Sequence, residues 1–286
     1  MTQLGVHSLA FTPLWDPAEA DQLLARIHEL GATLIEVPLL DPERFDSEGT
    51  RRAIERHGLQ VVCSLGLPSE MNVTTDTDTV VAFLDRVVRA AHEAGSESLS
   101  GVTYGTIGKT SGAPPTQAEL DAICHLVERV AKTAQGLGMR LGLEPCNRYE
   151  THLLNTAAQT AAIIERTGAE NAFIHLDTYH MNIEERSMRD GFADAGRHLG
   201  YVDLSESNRG TPGRGTIDWD ETFAGLKDIG YDGAMTLESF VYVAPEIAAG
   251  LAVWRPVAET PSDVLEVGLP FLVERAQYAG LEIENA

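Results

Sequence analysis

Eight short runs of β-branched and apolar residues alternate along the chain with longer stretches of helical periodicity, and this rhythm limits the possible folds more than any other feature. Parallel strands need a long crossover between them, and a helix supplies it, so the alternation describes repeated βα units around a parallel sheet. The strand candidates are Leu4–Phe11, Thr33–Leu40, Leu59–Leu67, Ser98–Tyr104, Arg140–Cys146, Ala172–Thr178, Gly200–Ser205 and Gly233–Ser239. Pro17–Leu30, Ser47–His57, Asp76–Glu93, Thr116–Leu137, Thr156–Thr167, Met188–His198, Asp218–Ile229 and a long C-terminal region read as the helices between and after them. Gly31, Gly58, Gly95, Gly138, Gly168 and Gly230 fall just past a helix and before a strand, where a left-handed residue closes the last turn. Thr156, after Asn155, and Asp218, with Glu221 three residues on, supply N-terminal caps. Eight such units in 286 residues predict a single (β/α)₈ TIM barrel, one domain over residues 1–286, with its site at the C-terminal face of the strands.

Composition narrows what such a barrel does. The formal net charge of -22 argues against a nucleic-acid partner, because phosphate binding rests on clustered Lys and Arg. Cys63, Cys124 and Cys146 are odd in number, far apart and form no CxxC, so neither a disulfide framework nor a zinc knuckle is expected, and a reducing cytoplasm fits. The start MTQLGVHSLAF has no basic region, and no segment is apolar over a bilayer's length, so no membrane association is expected.

Function in a barrel collects at the C-terminal strand ends, and here those ends are acidic. Glu36 in IEVPLL, Glu144 in LGLEPCNRYE, Asp177 in HLDTYHMN, Asp203 in YVDLSE and Glu238 in MTLESF each follow an apolar run. Glu144, Asp177, Asp203 and Glu238 come from four consecutive strands, and four inward carboxylates repel one another unless a cation compensates them. A divalent metal does so directly, whereas pairing with Arg148, Arg209 or Arg214 explains one or two acids better than four. An all-oxygen donor set favours Mn²⁺ or Mg²⁺ over zinc, with Co²⁺ tolerated.

Glu150, His180 and Arg209 each stand a few residues past a candidate ligand and read as its surroundings; His152 and His175 lack that support. RGTPGRG, Arg209–Gly215, combines glycines with two arginines and reads either as an anion-binding loop or as a tight turn into the next helix. Trp254 either caps a pocket or packs a helix, and Val241–Pro261 is irregular enough for a long active-site loop or lid.

The segments EPCNRYETHLLNT, HLDTYHMNIEE, SESNRGTPGRG and LESF, in that order, resemble the D-tagatose 3-epimerase group, which includes the D-allulose and L-ribulose 3-epimerases, within the xylose-isomerase-like barrels. The resemblance runs over nearly the whole chain. It implies that Glu144, Asp177 and Glu238 are metal ligands, that Glu144 and Glu238 are also the proton-transfer pair, and that Glu150, His180 and Arg209 contact the O1/O2 end of a ketose. Ser64–Leu67 matches a turn that borders the substrate. One departure stands out: the family places a metal-binding histidine where this chain has Asp203, and since His198 is the last histidine, no imidazole is expected near that position.

The resemblance therefore implies a divalent-metal-dependent isomerase that epimerises a free ketohexose or ketopentose at C3 through a cis-enediolate, as a homodimer or homotetramer. Three rivals share some of these features: an aldose–ketose or hydroxypyruvate-type isomerase, a sugar-binding protein with an impaired metal site marked by Asp203, and a multi-metal DNA-repair endonuclease. The acidic charge and the scarcity of strand-end histidines weigh against the last.

Overall fold

The computed structural model describes residues 1–241 and 250–284. Strands β1 (Gln3–His7), β2 (Leu34–Pro38), β3 (Gln60–Gly66), β4 (Ser98–Val102), β5 (Arg140–Leu143), β6 (Ala172–Asp177), β7 (Leu199–Ser205) and β8 (Ala234–Glu238) pair in chain order, and β8 returns to β1 to close a parallel barrel. Helices α1 (Asp21–Glu29), α2 (Ser47–Arg56), α3 (Thr77–Glu93), α4 (Gln117–Gly136), α5 (Ala157–Thr167), α6 (Thr178–Glu184), α7 (Met188–Ala195) and α8 (Trp219–Asp228) form the outer ring, which the C-terminal helix Leu269–Tyr278 completes. The expected (β/α)₈ barrel is thus present. Among the described residues no helix is long and apolar enough to cross a membrane.

The strands are largely buried on both faces because one side meets the barrel interior and the other the helices. Leu84 and Val88 of α3, Leu126 and Val130 of α4, Phe192 of α7 and Phe223 of α8 are fully buried against that outer face. Local signals agree with the packing. Thr116 and Thr156 both close reciprocal capping boxes, with Glu119 and Gln159, and Asp218 accepts from the Glu221 N–H. The six inter-element glycines named above all adopt positive φ.

The strands end earlier at the mouth than their apolar runs do. β1 stops at His7, whose side chain accepts from the Leu9 N–H and starts a 3-10 turn, Ser8–Ala10. Similarly, the helix expected over Met188–His198 ends at Ala195 and continues as a 3-10 turn, Gly196–His198. α6 was not expected at all: Asp177 caps it by accepting from the Tyr179 N–H at 2.8 Å, so the strand-end acid itself nucleates the helix.

Register decides which side chains face inward. β6 and β7 begin with Ile174 opposite Leu199, but a shift between Ile174 and His175 then sets His175 opposite Tyr201 and Asp177 opposite Asp203. Side chains alternate along a strand, so without that extra residue in β7 Asp177 would face the level of Val202, and Asp203 would point toward the helices. On β8, Thr236 is level with Asp203, and Glu238 stands two residues nearer the mouth.

Candidate active site

The barrel mouth holds a cavity of about 240 Å³. Its polar wall comprises His7, Glu36, Glu144, Glu150, His180, Asp203, Arg209 and Glu238, and its apolar wall includes Leu9, Leu67, Ile107, Phe240 and Leu251. All four residues of the turn Ser64–Leu67 line it. Residues 242–249 of the expected loop or lid lie outside the described residues, while Gly250 and Leu251 beyond them reach the cavity.

The four strand-end acids stand at one end of the barrel, and Glu144, Asp203 and Glu238 line the cavity while Asp177 does not. Glu144 follows the last residue of β5, Asp177 and Glu238 end β6 and β8, and Asp203 sits two residues before the end of β7. Burial pushes the carboxyls of Glu144, Asp177 and Asp203 well above their ordinary range, and neighbouring carboxylates add to the effect. Arg209 is the cation among them: Nη1 lies 2.6 Å from Glu238 Oε2 and 3.4 Å from Asp177 Oδ2, and Nη2 lies 3.7 Å from Glu150 Oε1. Its guanidinium also sits over the rings of Tyr179 and Phe240, at 4.0 and 4.8 Å. Although burial alone would lower its pKa, Glu238, Asp177 and Glu150 outweigh that and hold Arg209 charged. Its backbone is left-handed, φ 58°, a conformation that costs a non-glycine residue about 1 kcal/mol or more and that such sites retain.

His180 has a partner at each ring nitrogen. The backbone N–H of Asn147 donates to Nδ1 at 3.1 Å, and Asn147 Nδ2 lies 2.9 Å from the same atom, which leaves the ring proton to Nε2, while Arg209 Nη2, itself a donor, stands 3.2 Å from that nitrogen. Burial holds the ring's pKa well below the ordinary histidine value, so it is neutral. Nε2–H therefore faces the site as a donor, 3.5 Å from Glu144 Oε1 and 3.6 Å from Asp177 Oδ2. Asn147 also donates to Glu150 Oε1 at 2.9 Å, which makes it the bracket joining Glu150 to His180. Sequence reasoning passed over Asn147, although it stands three residues before Glu150 in the same turn.

The expectation that no imidazole lies near Asp203 is wrong. His175 Nε2 is 2.9 Å from Asp203 Oδ2, because His175 and Asp177 alternate on β6 and share its inward face. That i, i+2 relation was visible in HLD; what was not visible is that β7 lies beside β6 in this register. A second pair stands across the barrel: His7 Nε2 is 3.6 Å from Glu36 Oε1, and Tyr201 donates to Glu36 Oε2 at 2.8 Å. Glu36 thus joins the cavity wall as more than a strand-end acid.

Other sequence features resolve differently. The loop over residues 209–215 turns around an anion of the chain itself, the Glu206 carboxylate, to which it gives one donor, the Gly213 N–H. Glu206 Oε1 accepts from the N–H groups of Ser207 and Ile217, at 2.8 and 3.1 Å, and Oε2 from the Gly213 N–H and Trp219 Nε1, at 2.9 and 3.0 Å. Gly215 packs so closely on this carboxylate that a Cβ there would lie 2.4 Å from Oε1. Trp254 is 76% exposed and lines no part of the cavity. His152 pairs with Glu119, and Arg148 with Glu184, each away from the acids.

The residues present fit a divalent cation. Four buried carboxyls stand at the strand ends with one guanidinium among them, and Asp203 Oδ1 is buried with no hydrogen-bond partner among the described residues, although no three of these acids bring ligand atoms within 4.8 Å of one another. Among the described residues Glu144, Cys146 and His180 are the group that brings potential ligand atoms within 4.8 Å of one another, and Arg209 Nη2 already lies 3.2 Å from His180 Nε2.

An acid-rich mouth on a closed (β/α)₈ barrel defines a class, and the chain belongs to it: the family model described as xylose isomerase-like TIM barrel matches residues 24–257. Within that family it stands with the carbohydrate 3-epimerases, which are isomerases. It is 36% identical to the L-ribulose 3-epimerase of Methylomonas sp. (strain DH-1), over 96% of this chain and 97% of that one. It is 39% identical to the ketose 3-epimerase of Arthrobacter globiformis, over 88% and 89%. The crystal structure of a D-allulose 3-epimerase from Methylomonas sp. in complex with D-allulose superposes with a TM-score of 0.90 at 34% identity, covering 96% of this chain and 97% of that one.

Proposed function

We propose that this chain is a divalent-metal-dependent ketose 3-epimerase acting on free ketohexoses or ketopentoses. The observation that carries the reading is the placement of two buried carboxylates, Glu144 after β5 and Glu238 at the end of β8, on the wall of one cavity. Inverting a carbon beside a ketone requires removal of its proton from one face and return of a proton to the other, and one carboxyl on each side of the sugar performs both steps. Glu144 and Glu238 take these roles in turn, the first removing the C3 proton and the second supplying one, with the roles exchanged for the opposite epimer.

His180 Nε2–H and the Arg209 guanidinium are the fixed donors facing the O1/O2 end, and their placement before substrate arrives stabilises the charge of a cis-enediolate without reorganisation. Glu150, held by Asn147, accepts from a hydroxyl at that end. Glu144, Asp177, Asp203 and Glu238 hold the cation, which when bound supplies further positive charge against the enediolate; the all-oxygen set favours Mn²⁺ or Mg²⁺. Leu9, Leu67, Ile107 and Phe240 give the cavity an apolar wall against which the carbon skeleton of a sugar packs.

The test is deuterium exchange. Metal-stripped protein reloaded with Mn²⁺ is incubated in D₂O with D-fructose, D-tagatose or L-ribulose and followed by NMR. Deuterium at C3 together with the 3-epimer supports the proposal. Label at C1, or appearance of an aldose, makes the enzyme an aldose–ketose isomerase, and sugar binding without exchange makes it a sugar-binding protein.

A further inference from the structure

Three strands contribute to a buried hydrogen-bonded chain beneath the acids, and a fourth leaves room for it. Ser100 on β4 lies with Oγ 2.9 Å from His175 Nδ1 on β6, and His175 Nε2 lies 2.9 Å from Asp203 Oδ2 on β7. β5 runs between β4 and β6, and the residue it places there is Gly142, where a Cβ would lie 2.4 Å from Ser100 Oγ. The missing side chain is what lets a serine reach across one strand to the imidazole. All three side chains are buried, Ser100 completely and the other two at 1% exposure.

The direction of the chain follows from its two ends, a hydroxyl and a carboxyl group. With Asp203 as the carboxylate that a bound cation requires, the imidazole donates from Nε2, and Nδ1 accepts from the Ser100 hydroxyl. One oxygen of Asp203 is thereby committed, while Oδ1 is buried with no partner among the described residues, on a side chain that lines the mouth cavity.

We infer that His175 is a positioning residue for the metal site: with Ser100 behind it, it holds Asp203 Oδ2 so that Asp203 presents Oδ1 alone to the cation. The inference rests on the proposed cation site. A carboxylate held in this way ligates through one oxygen in one orientation, and removing such a support costs about 10- to 100-fold in metal affinity.

The experiment measures Mn²⁺ binding without sugar, by the EPR signal of free Mn²⁺ and by calorimetry, on metal-stripped protein at pH 7.5. His175→Leu removes the donor, His175→Gln keeps an N–H at the Nε2 position, and Gly142→Ala displaces Ser100. Thermal unfolding of each metal-free variant reports the fold. The expected result is a Kd raised about 10- to 100-fold in His175→Leu, largely restored in His175→Gln and raised less in Gly142→Ala. A folded His175→Leu with the parent's Kd overturns the inference. If His175→Leu does not fold, the parent's Kd in both Gly142→Ala and Ser100→Ala overturns it instead. Failure of the parent to bind Mn²⁺ overturns the inference and the metal reading together. Parent binding that His175→Leu weakens, without turnover of any ketose, sustains the inference and removes only the epimerase reading.

Discussion

At the scale of single residues, the site is a set of acids whose differences come from their neighbours. Glu144 and Glu238 line the same cavity, yet Glu238 is held by Arg209 at 2.6 Å while Glu144 faces His180 Nε2–H at 3.5 Å. Replacing either by Gln keeps shape and burial but removes the base, so turnover falls by at least about 100-fold with circular dichroism unchanged. Retained turnover in either variant refutes the two-carboxylate scheme. Arg209→Lys is not conservative here, since one ammonium replaces a fork that spans Glu238, Asp177 and Glu150. Steady-state kinetics are expected to show a lowered kcat/KM at unaltered secondary structure. The four strand-end acids could be read in the sequence because each follows an apolar run. Asn147 and His175 could not, because their meaning lies in which side chains they touch.

At the scale of elements, turns and caps hold the site in place. Thr116 and Thr156 each satisfy free N–H groups at the start of a long helix on the outer ring, so Thr116→Ala and Thr156→Ala each cost about 1 kcal/mol. Denaturant titration checks this, with kcat expected to stay at the parent's value. Glu206 has a different part: its carboxylate gathers four donors and shapes the loop that carries Arg209. Glu206→Ala leaves those buried donors unpaired and frees the loop, and KM for the ketose rises more than global stability falls. A variant with unchanged KM shows that Arg209 is placed by its ion pairs alone. Helix periodicity and capping were legible beforehand, and so was the glycine-rich loop; its internal anion was not, because Glu206 looks like one more acid next to Ser205.

At the scale of the whole molecule, the buried acids make stability depend on pH. Glu144, Asp177 and Asp203 have folded-state pKa values raised above the unfolded ones, chiefly by burial. The folded state therefore binds their protons more tightly, so their contribution is full below the ordinary carboxylate range and declines as pH rises toward the folded values. Metal-free protein in EDTA is expected to show a higher Tm at pH 5 than at pH 8, and Mn²⁺ to raise Tm more at pH 8. The net charge of -22 pushes the same way, and Asp203→Asn separates the two causes. That variant, metal-free, should exceed the parent in Tm at pH 8 and lose the advantage near pH 4; equal Tm at both values removes the buried acids as the cause.

What the sequence by itself determined is the barrel and its acidic mouth, because hydrophobic period, caps and strand-end carboxylates are local properties of the chain. The barrel closure and the register shift between β6 and β7 decided the rest. Those features put Asp203 level with Asp177, bring Ser100 across Gly142 to His175, and set an imidazole beside the very aspartate that seemed to lack one. Pairings between residues 28 and 75 positions apart are made by strand order and packing, and no local pattern encodes them.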